Sequence, residues 1–509
     1  MAIFLQTKIN TLNYQQKDQQ EAFKPLFYRI SNIKDREDLS LVLDKPGLMI
    51  HDYLFDQVKE LMKISSPNLR LTSIEQEEAA LRHINSFPME EYGVWVYYSW
   101  SNRLVHIVDE KEFIELRTSR NQYKITPEER DLLAQKKIGV IGLSVGQSVA
   151  ITLAMERIAG EIRLADFDVL ELTNLNRIRT GIHNLGLPKV YAVAREIAEI
   201  DPFIIVKCFS KGITEDNMTD FLMESGKLDL ILEESDSLDI KVLSRYKAKE
   251  LGIPVVMESS DRCMVDVERF DLEPSRKVLH GLIETLDLTT LKSLKTNEEK
   301  IPYALAILGA DTLSPRLKAS MNEIGKSITT WPQLASAVTM GGGIAADVSR
   351  RLLLDQFTSS GRYYVDVETI ISDSSSHMQD PSKNEIQLKK FTMEEMNHLI
   401  DQIYSAKNAH SIEDHYLQQL AEASMKGISS ITFLTCVPKN YALYLFQENL
   451  NTSFSPEDQT TAFSALGTSL QNISITAQQM QLSPIIQLYP LHNNHRLIAK
   501  ITFASSYKK

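Results

Sequence analysis

The residue types best suited to chemistry gather in the middle of the chain. The run Asp166-Phe167-Asp168-Val169-Leu170-Glu171-Leu172-Thr173-Asn174-Leu175-Asn176-Arg177 is followed twelve residues later by Lys189. Asp166 ends an apolar run and stands 24 residues past Gly142, where an acid commonly bonds ribose hydroxyls. That position suits NAD, FAD and ATP equally. Arg177 and Lys189 break the tie: a triphosphate attacked at its α-phosphate carries several negative charges that must be offset, and a dinucleotide needs no such cation cluster there. Upstream lies Gly142-Leu143-Ser144-Val145-Gly146-Gln147. Glycines at a strand-to-helix turn let phosphate approach backbone N–H groups at the helix N-terminus. Ser144 and Gln147 occupy two of the glycine positions of G-x-G-x-x-G, so the signal is weak by itself, with a plain tight turn as the alternative for Gly142, Ser144 and Gly146. Downstream, Glu233-Glu234-Ser235-Asp236 supplies acids. Mg²⁺ between phosphates asks for one or two carboxylates plus waters, and Asp236 is the candidate ligand, with an N-cap as its alternative role. Glu233 and Glu234 add charge beside it, which either strengthens metal binding or disturbs the triphosphate.

These residues need a scaffold of strands that end together. From Lys137 onward short apolar runs alternate with helical periodicity. The spacing predicts strands at 138–141, 162–165, 204–209, 228–232 and 254–257, and helices at about 146–159, 188–200, 214–225 and 238–251. Strand, helix, strand at this interval is the pattern of βαβ units and a parallel sheet. Asp166 and Asp236 then fall at carboxyl ends of strands, the edge that faces a ligand crevice. Before this region, residues 1–112 read as a small α+β domain with strands at 92–98 and 104–108. The aromatic run at 94–98 suits a half-buried strand better than a ligand surface. Residues 358–390, with Ser359-Ser360-Gly361 and a serine run at 374–376, read as a linker. Residues 391–509 read as helices, notably 459–481, followed by strands at 485–489 and 496–502.

The stretch from Leu164 through Arg177, with Gly186-Leu187-Pro188-Lys189 and Asp201-Pro202, resembles the adenylation domain of the ThiF, MoeB and ubiquitin-activating enzymes over about residues 115–355. The resemblance implies a Rossmann-like α/β domain with a mostly parallel sheet, at 113–357, that activates a carboxylate with ATP and Mg²⁺. It implies Asp166 on the ribose, Asn174, Arg177 and Lys189 on the phosphates, and Asp236 at Mg-ATP. It also implies a homodimer in which Arg120, within Arg117-Thr118-Ser119-Arg120, reaches the partner's ATP. The implied substrate is a small carboxylate or the C-terminus of a ubiquitin-like or sulfur-carrier protein. The absence of C-x-x-C pairs departs from the zinc tetrad of ThiF and MoeB and weakens the sulfur-carrier assignment. Trp331 through Gly343 resembles the returning part of the same fold. In the last module the helix around 462–473 resembles the central helix of flavin-dependent nitroreductases, and fusions of the two families have this order. The FMN-phosphate motif is not recognisable between 390 and 450, so a flavin-free remnant or dimerisation element is preferred over an FMN protein.

Acyl-adenylate formation is mostly positioning and charge stabilisation and requires no protein base. Of three cysteines, Cys208, Cys263 and Cys436, only Cys263 lies where a thioester could form, and it is expected to be dispensable. Three cysteines without a C-x-x-C pair exclude a disulfide framework and a four-cysteine zinc site. The formal charge of -12 and pI near 5.5 argue against broad docking on nucleic acid or anionic membrane, and give no support to a tRNA substrate of the threonylcarbamoyladenosine dehydratase kind. The opening Met1 to Gln6 is too short for a signal-peptide core, and no run of 18 apolar residues occurs, so a cytoplasmic protein is expected. Two other classes remain open: a NAD or flavin oxidoreductase, which leaves the cations without a role, and a nucleotide-binding scaffold without turnover.

Overall fold

The computed structural model describes residues 21–372 apart from 287, 295, 310, 311 and 322, and then 393–403, 414–424, 434–439, 442–447, 456–488 and 497–505. The expectations for Met1 to Gln6, for 373–390, and for positions 489 and 496 of the last two strands lie outside the described residues. The chain divides into two units, 1–371 and 372–509.

The first unit opens with a four-stranded sheet of β1 (Leu26–Tyr28), β2 (Met49–Asp52), β3 (Val94–Tyr98) and β4 (Arg103–Ile107), in the order β1-β3-β4-β2. Alternation places Val94, Val96 and Tyr98 on one face of β3, where they pack with Ile107, Ala198 and Phe203. Tyr98 donates its hydroxyl to the Ala198 carbonyl at 3.3 Å. The aromatic run is therefore the seam between this sheet and the domain that follows it, which explains why the two fall in one unit.

The central sheet has seven strands: β5 (Lys137–Ile141), β6 (Glu161–Ala165), β7 (Ile205–Phe209), β8 (Leu230–Glu233), β9 (Val255–Ser259), β10 (Met264–Glu268) and β11 (Gly361–Tyr364), ordered β11-β10-β9-β8-β5-β6-β7. The five from β5 to β9 are parallel, and β10 and β11 add antiparallel. Ile138, Val140, Ile162, Leu164, Leu230, Leu232 and Val256 are fully buried, as strands covered on both faces require. The helices that cover them are α1 (Gly146–Glu156), α2 (Lys189–Ile200), α3 (Leu238–Leu251) and α4 (Ala335–Leu353). Each parallel crossover uses a helix, the connection such strands need.

Several expectations are corrected. The sheet is mostly parallel as expected, but it is mixed at one edge because β9 returns directly as β10, a hairpin that no strand–helix alternation could reveal. Residues 361–364, read as linker, form β11 and pair with β10; Arg262 then binds Asp366 at 2.7 Å. The helix expected at 214–225 shrinks to Met218–Met223, since Thr214 and Asn217 exchange backbone-to-side-chain hydrogen bonds in a turn ahead of it. The first helix stops at Glu156 because Arg157 turns left-handed, φ 58°. Gly341 and Gly342 lie inside α4. A Cβ on Gly342 would sit 2.3 Å from Ser148 Oγ, and one on Gly341 2.0 Å from Glu258 Oε1, so close packing on α1 and β9 offsets the helix propensity these glycines lose.

In the second unit, strands Leu434–Lys439, Ala442–Gln447, Leu482–Leu488 and Leu497–Ser505 form an antiparallel sheet, and the long helix runs Pro456–Gln479. Leu443, Leu445, Ile473, Ala477, Ala499 and Ile501 share one cluster there. Among the described residues, no helix is long and apolar enough to cross a membrane.

Candidate functional site

Register brings the site together. Ile141 pairs with Ala165 and with Glu233, and Ala165 pairs with Phe209. Gly142, Asp166 and Glu234 therefore leave the sheet at the same level. Strand order reverses between β5 and β8, and a crevice opens at such a switch point outside the carboxyl ends of the strands. The cavity there measures about 290 Å³, the low end of small-molecule pockets. Gly142, Ser144, Asp166, Asn174, Arg177, Lys189 and Asp236 all line it.

Asp166 is buried and holds two loops: Oδ2 accepts from Leu143 N at 2.7 Å and Oδ1 from Asp168 N at 2.8 Å. Burial pushes its carboxyl above the usual range, with Lys189 and the two N–H groups opposing. Arg177 donates from Nε to Ser144 Oγ at 3.0 Å, so the first cation is tied to the glycine turn. Lys189, at the first position of α2, is buried and binds Asp168 Oδ2 at 2.8 Å. Asn174 is engaged locally: its Oδ1 accepts from Glu171 N at 3.0 Å and caps a short 3₁₀ turn.

Asp236 opens onto the cleft, and its surface is exposed. The surrounding protein nonetheless raises its carboxyl pKa by desolvation, against Lys241, Arg177 and Lys189. The N-cap of α3 is Ser237, so the capping alternative for Asp236 does not hold. The two extra acids separate. Glu233 is fully buried and pairs with Lys241 at 2.6 Å and Arg245 at 2.7 Å, which keeps its carboxyl low against burial. Glu234 lines the cavity, accepts from Glu258 N at 2.9 Å, and burial raises it to about 8. Near neutral pH one acid is neutralised by partners and the other holds its proton, so neither adds a free charge beside Asp236.

Gly142 and Gly146 are used within the protein. A Cβ on Gly142, whose φ is +85°, would lie 2.7 Å from the Glu234 carbonyl oxygen; one on Gly146 would lie 3.0 Å from Val140 Cγ1. Gly146 does not line the cavity but begins α1. Arg120 is exposed on the turn Ser119–Asn121 and lies outside the cavity lining of its own chain. Its neighbour Arg117 is structural, donating to the carbonyls of Ala154 and Met155 at the end of α1. Cys263 is 2% exposed, directs Sγ at the Ala337 carbonyl, and burial pushes its thiol to about 11. The sequence reading missed Phe167, Asp168, Gly212 and Ile213 in the cavity wall. The last two follow the carboxyl end of β7, the position at which the crevice rule would have found them.

The model of the ThiF family matches residues 118–370. An uncharacterized protein of Mycobacterium tuberculosis, MT1398, is 40% identical over 330 residues, which cover 64% of this chain and 46% of that protein. The tRNA threonylcarbamoyladenosine dehydratase of Bacillus subtilis is 29% identical over 195 residues, 38% of this chain and 74% of its own. Ubiquitin-like modifier-activating enzyme 5 of Bombyx mori is 28% identical over 127 residues, 23% of this chain and 32% of its own. The chain thus spans less than half of the mycobacterial protein and about a third of the Bombyx one. Residues 118–370, which contain the central sheet and every wall of this cleft, form a ThiF family domain.

Proposed function

We propose that the cleft binds ATP with Mg²⁺ and that the protein uses it to adenylate a carboxylate. The observation that carries this reading is the convergence in one cavity of a buried acid, two cations and an open carboxylate: Asp166, Arg177, Lys189 and Asp236. Asp166 suits ribose hydroxyls, whose O–H groups donate to its remaining lone pairs. Arg177 and Lys189 suit phosphate oxygens, Arg as a fork and Lys as a point charge. Asp236 is an acid of the lining open to solvent and suits the metal, which would supply charge neutralisation at the phosphates. In the reaction a substrate carboxylate oxygen forms a bond to the α-phosphorus, the α–β phosphoanhydride bond breaks, and pyrophosphate leaves with the electron pair. The protein's part is to hold and orient the reactants in a shielded cleft.

The same proposal includes a homodimer in which Arg120, exposed and outside its own cleft, serves the partner's. It includes Cys263 as a bystander, a cytoplasmic location, and a C-terminal unit that works without flavin. The carboxylate is a small acid or the C-terminus of a carrier protein.

ATP–pyrophosphate exchange with Mg²⁺ tests the reading, run on the full chain against small carboxylates and ubiquitin-like protein C-termini. Exchange that disappears in Asp236→Ala supports it. ATP binding without exchange on any substrate would instead favour a nucleotide-binding scaffold.

A further inference from the structure

The sharpest feature beside the cleft is a buried ionic cluster that the proposed chemistry does not use. Glu233, Arg245 and Glu268 are each 0% exposed. Arg245 spans the two acids, donating to Glu233 Oε2 and Glu268 Oε2 at 2.7 Å each. Lys241 Nζ meets the same Glu233 oxygen at 2.6 Å. Such clusters are weak sources of stability, since apolar groups of similar volume commonly do as well. The other oxygen of Glu233 points to a different role. Glu233 Oε1 accepts from the Ser235 backbone N–H at 3.0 Å and from the Ser235 hydroxyl at 2.5 Å. The turn between them is pinned from the far side as well, where Glu234 Oε1 accepts from Glu258 N at 2.9 Å.

Asp236 is the next residue. Ser237, which caps α3, makes no side-chain cap bond, so the direction of Asp236 is inherited from the turn before it. We infer that Glu233 is a positioning residue for Asp236: anchored by Lys241 and Arg245, it fixes Ser235 and thereby aims the carboxylate that holds Mg-ATP. This inference rests on the adenylation reading for the role of Asp236. It makes the ionic cluster part of the metal-binding apparatus without touching the metal.

Two variants separate aim from fold. Glu233→Asp keeps the charge but shortens the arm by one methylene. Ser235→Ala keeps every charge of the cluster and removes only the hydroxyl, so it decides the matter if Glu233→Asp does not fold. The measurements are exchange rate against Mg²⁺ concentration and, separately, AMP binding without metal. A misplacement of about 1 Å can cost about 100-fold in rate. The expected result is a rise in half-saturating Mg²⁺ and a fall in kcat, about tenfold or more for Glu233→Asp and smaller for Ser235→Ala. AMP binding should stay unchanged, because Asp166 is held on another strand. An unaltered Mg²⁺ response in both variants, or a loss of AMP binding in parallel, overturns the inference. If the wild type catalyses no exchange, the adenylation reading falls and ATP binding with and without Mg²⁺ decides the positioning role. Tightening by Mg²⁺ that is reduced in both variants supports it, and no tightening in the wild type overturns it.

Discussion

Gly142→Ala tests how tightly the two loops of the cleft are fitted together. Two costs combine at this position. Its φ of +85° is left-handed, which costs an L residue about 1–2 kcal/mol. The new Cβ would also lie 2.7 Å from the Glu234 carbonyl oxygen, 2.8 Å from its carbon and 2.8 Å from Ser235 Cα. These are backbone atoms and cannot rotate away. Reaching the 3.4 Å at which ordinary contact begins, against 2.7 Å now, needs a shift of 0.7 Å between the β5–α1 turn and the turn before Asp236. Overpacking of this kind costs about 1–3 kcal/mol. Gly186→Ala is the matched control: its φ is +84° and no atom of the described residues lies within 4 Å of the added Cβ, so it carries only the backbone cost. In thermal or urea unfolding, Gly142→Ala should lose between about 2 and 5 kcal/mol and Gly186→Ala about 1–2 kcal/mol. Mg-ATP binding should weaken about tenfold or more only in Gly142→Ala, since a shift near 1 Å is costly to aligned groups. Equal destabilisation by the two variants, or unchanged Mg-ATP binding in Gly142→Ala, would refute the account of the loop contact.

Two further outcomes follow from buried groups. Among the described residues both carboxylate oxygens of Glu258 lack a hydrogen-bond partner, and burial together with Glu234 holds its carboxyl well above the usual range. The folded state thus keeps protons that the unfolded chain releases from about 4.5 upward, and the stability this gives is full below that value and lost as pH rises through the folded value, about 8 for Glu234. The melting temperature should fall as pH rises from about 4.5 through about 8, and fall less in Glu258→Gln; identical pH profiles for the two proteins would refute the coupling. Cys263→Ser should leave both exchange and acyl transfer intact, and the native thiol should react slowly with alkylating reagents because it is buried and weakly acidic. Exchange retained with acyl transfer abolished would make Cys263 the nucleophile after all.

By itself the sequence determined the kind of fold and the chemical inventory. Apolar strand runs at βαβ spacing force a parallel sheet, because strands covered on both faces admit few polar residues. Given that sheet, Asp166 and the acids at 233–236 had to fall at its carboxyl edge, and the cations after Asp166 were legible as types. What each group does depended on neighbours remote in the chain. Glu233 and Glu234 are adjacent and chemically alike, yet alternation sends one to Lys241 and Arg245 and the other toward Glu258. Their opposite ionisation is a property of those surroundings alone. Gly142 looked like an opening for phosphate, and the approach of the Glu234 turn gives it a second use that no local pattern encodes. The β9–β10 hairpin was hidden because no helix lies between its strands to mark their spacing, and β11 because the pairing of Gly361–Tyr364 with β10 joins residues some hundred positions apart. Composition and period fix which surfaces must be buried, whereas hydrogen-bond partners and carboxylate ionisation are set by distance in space, which only the tertiary structure supplies.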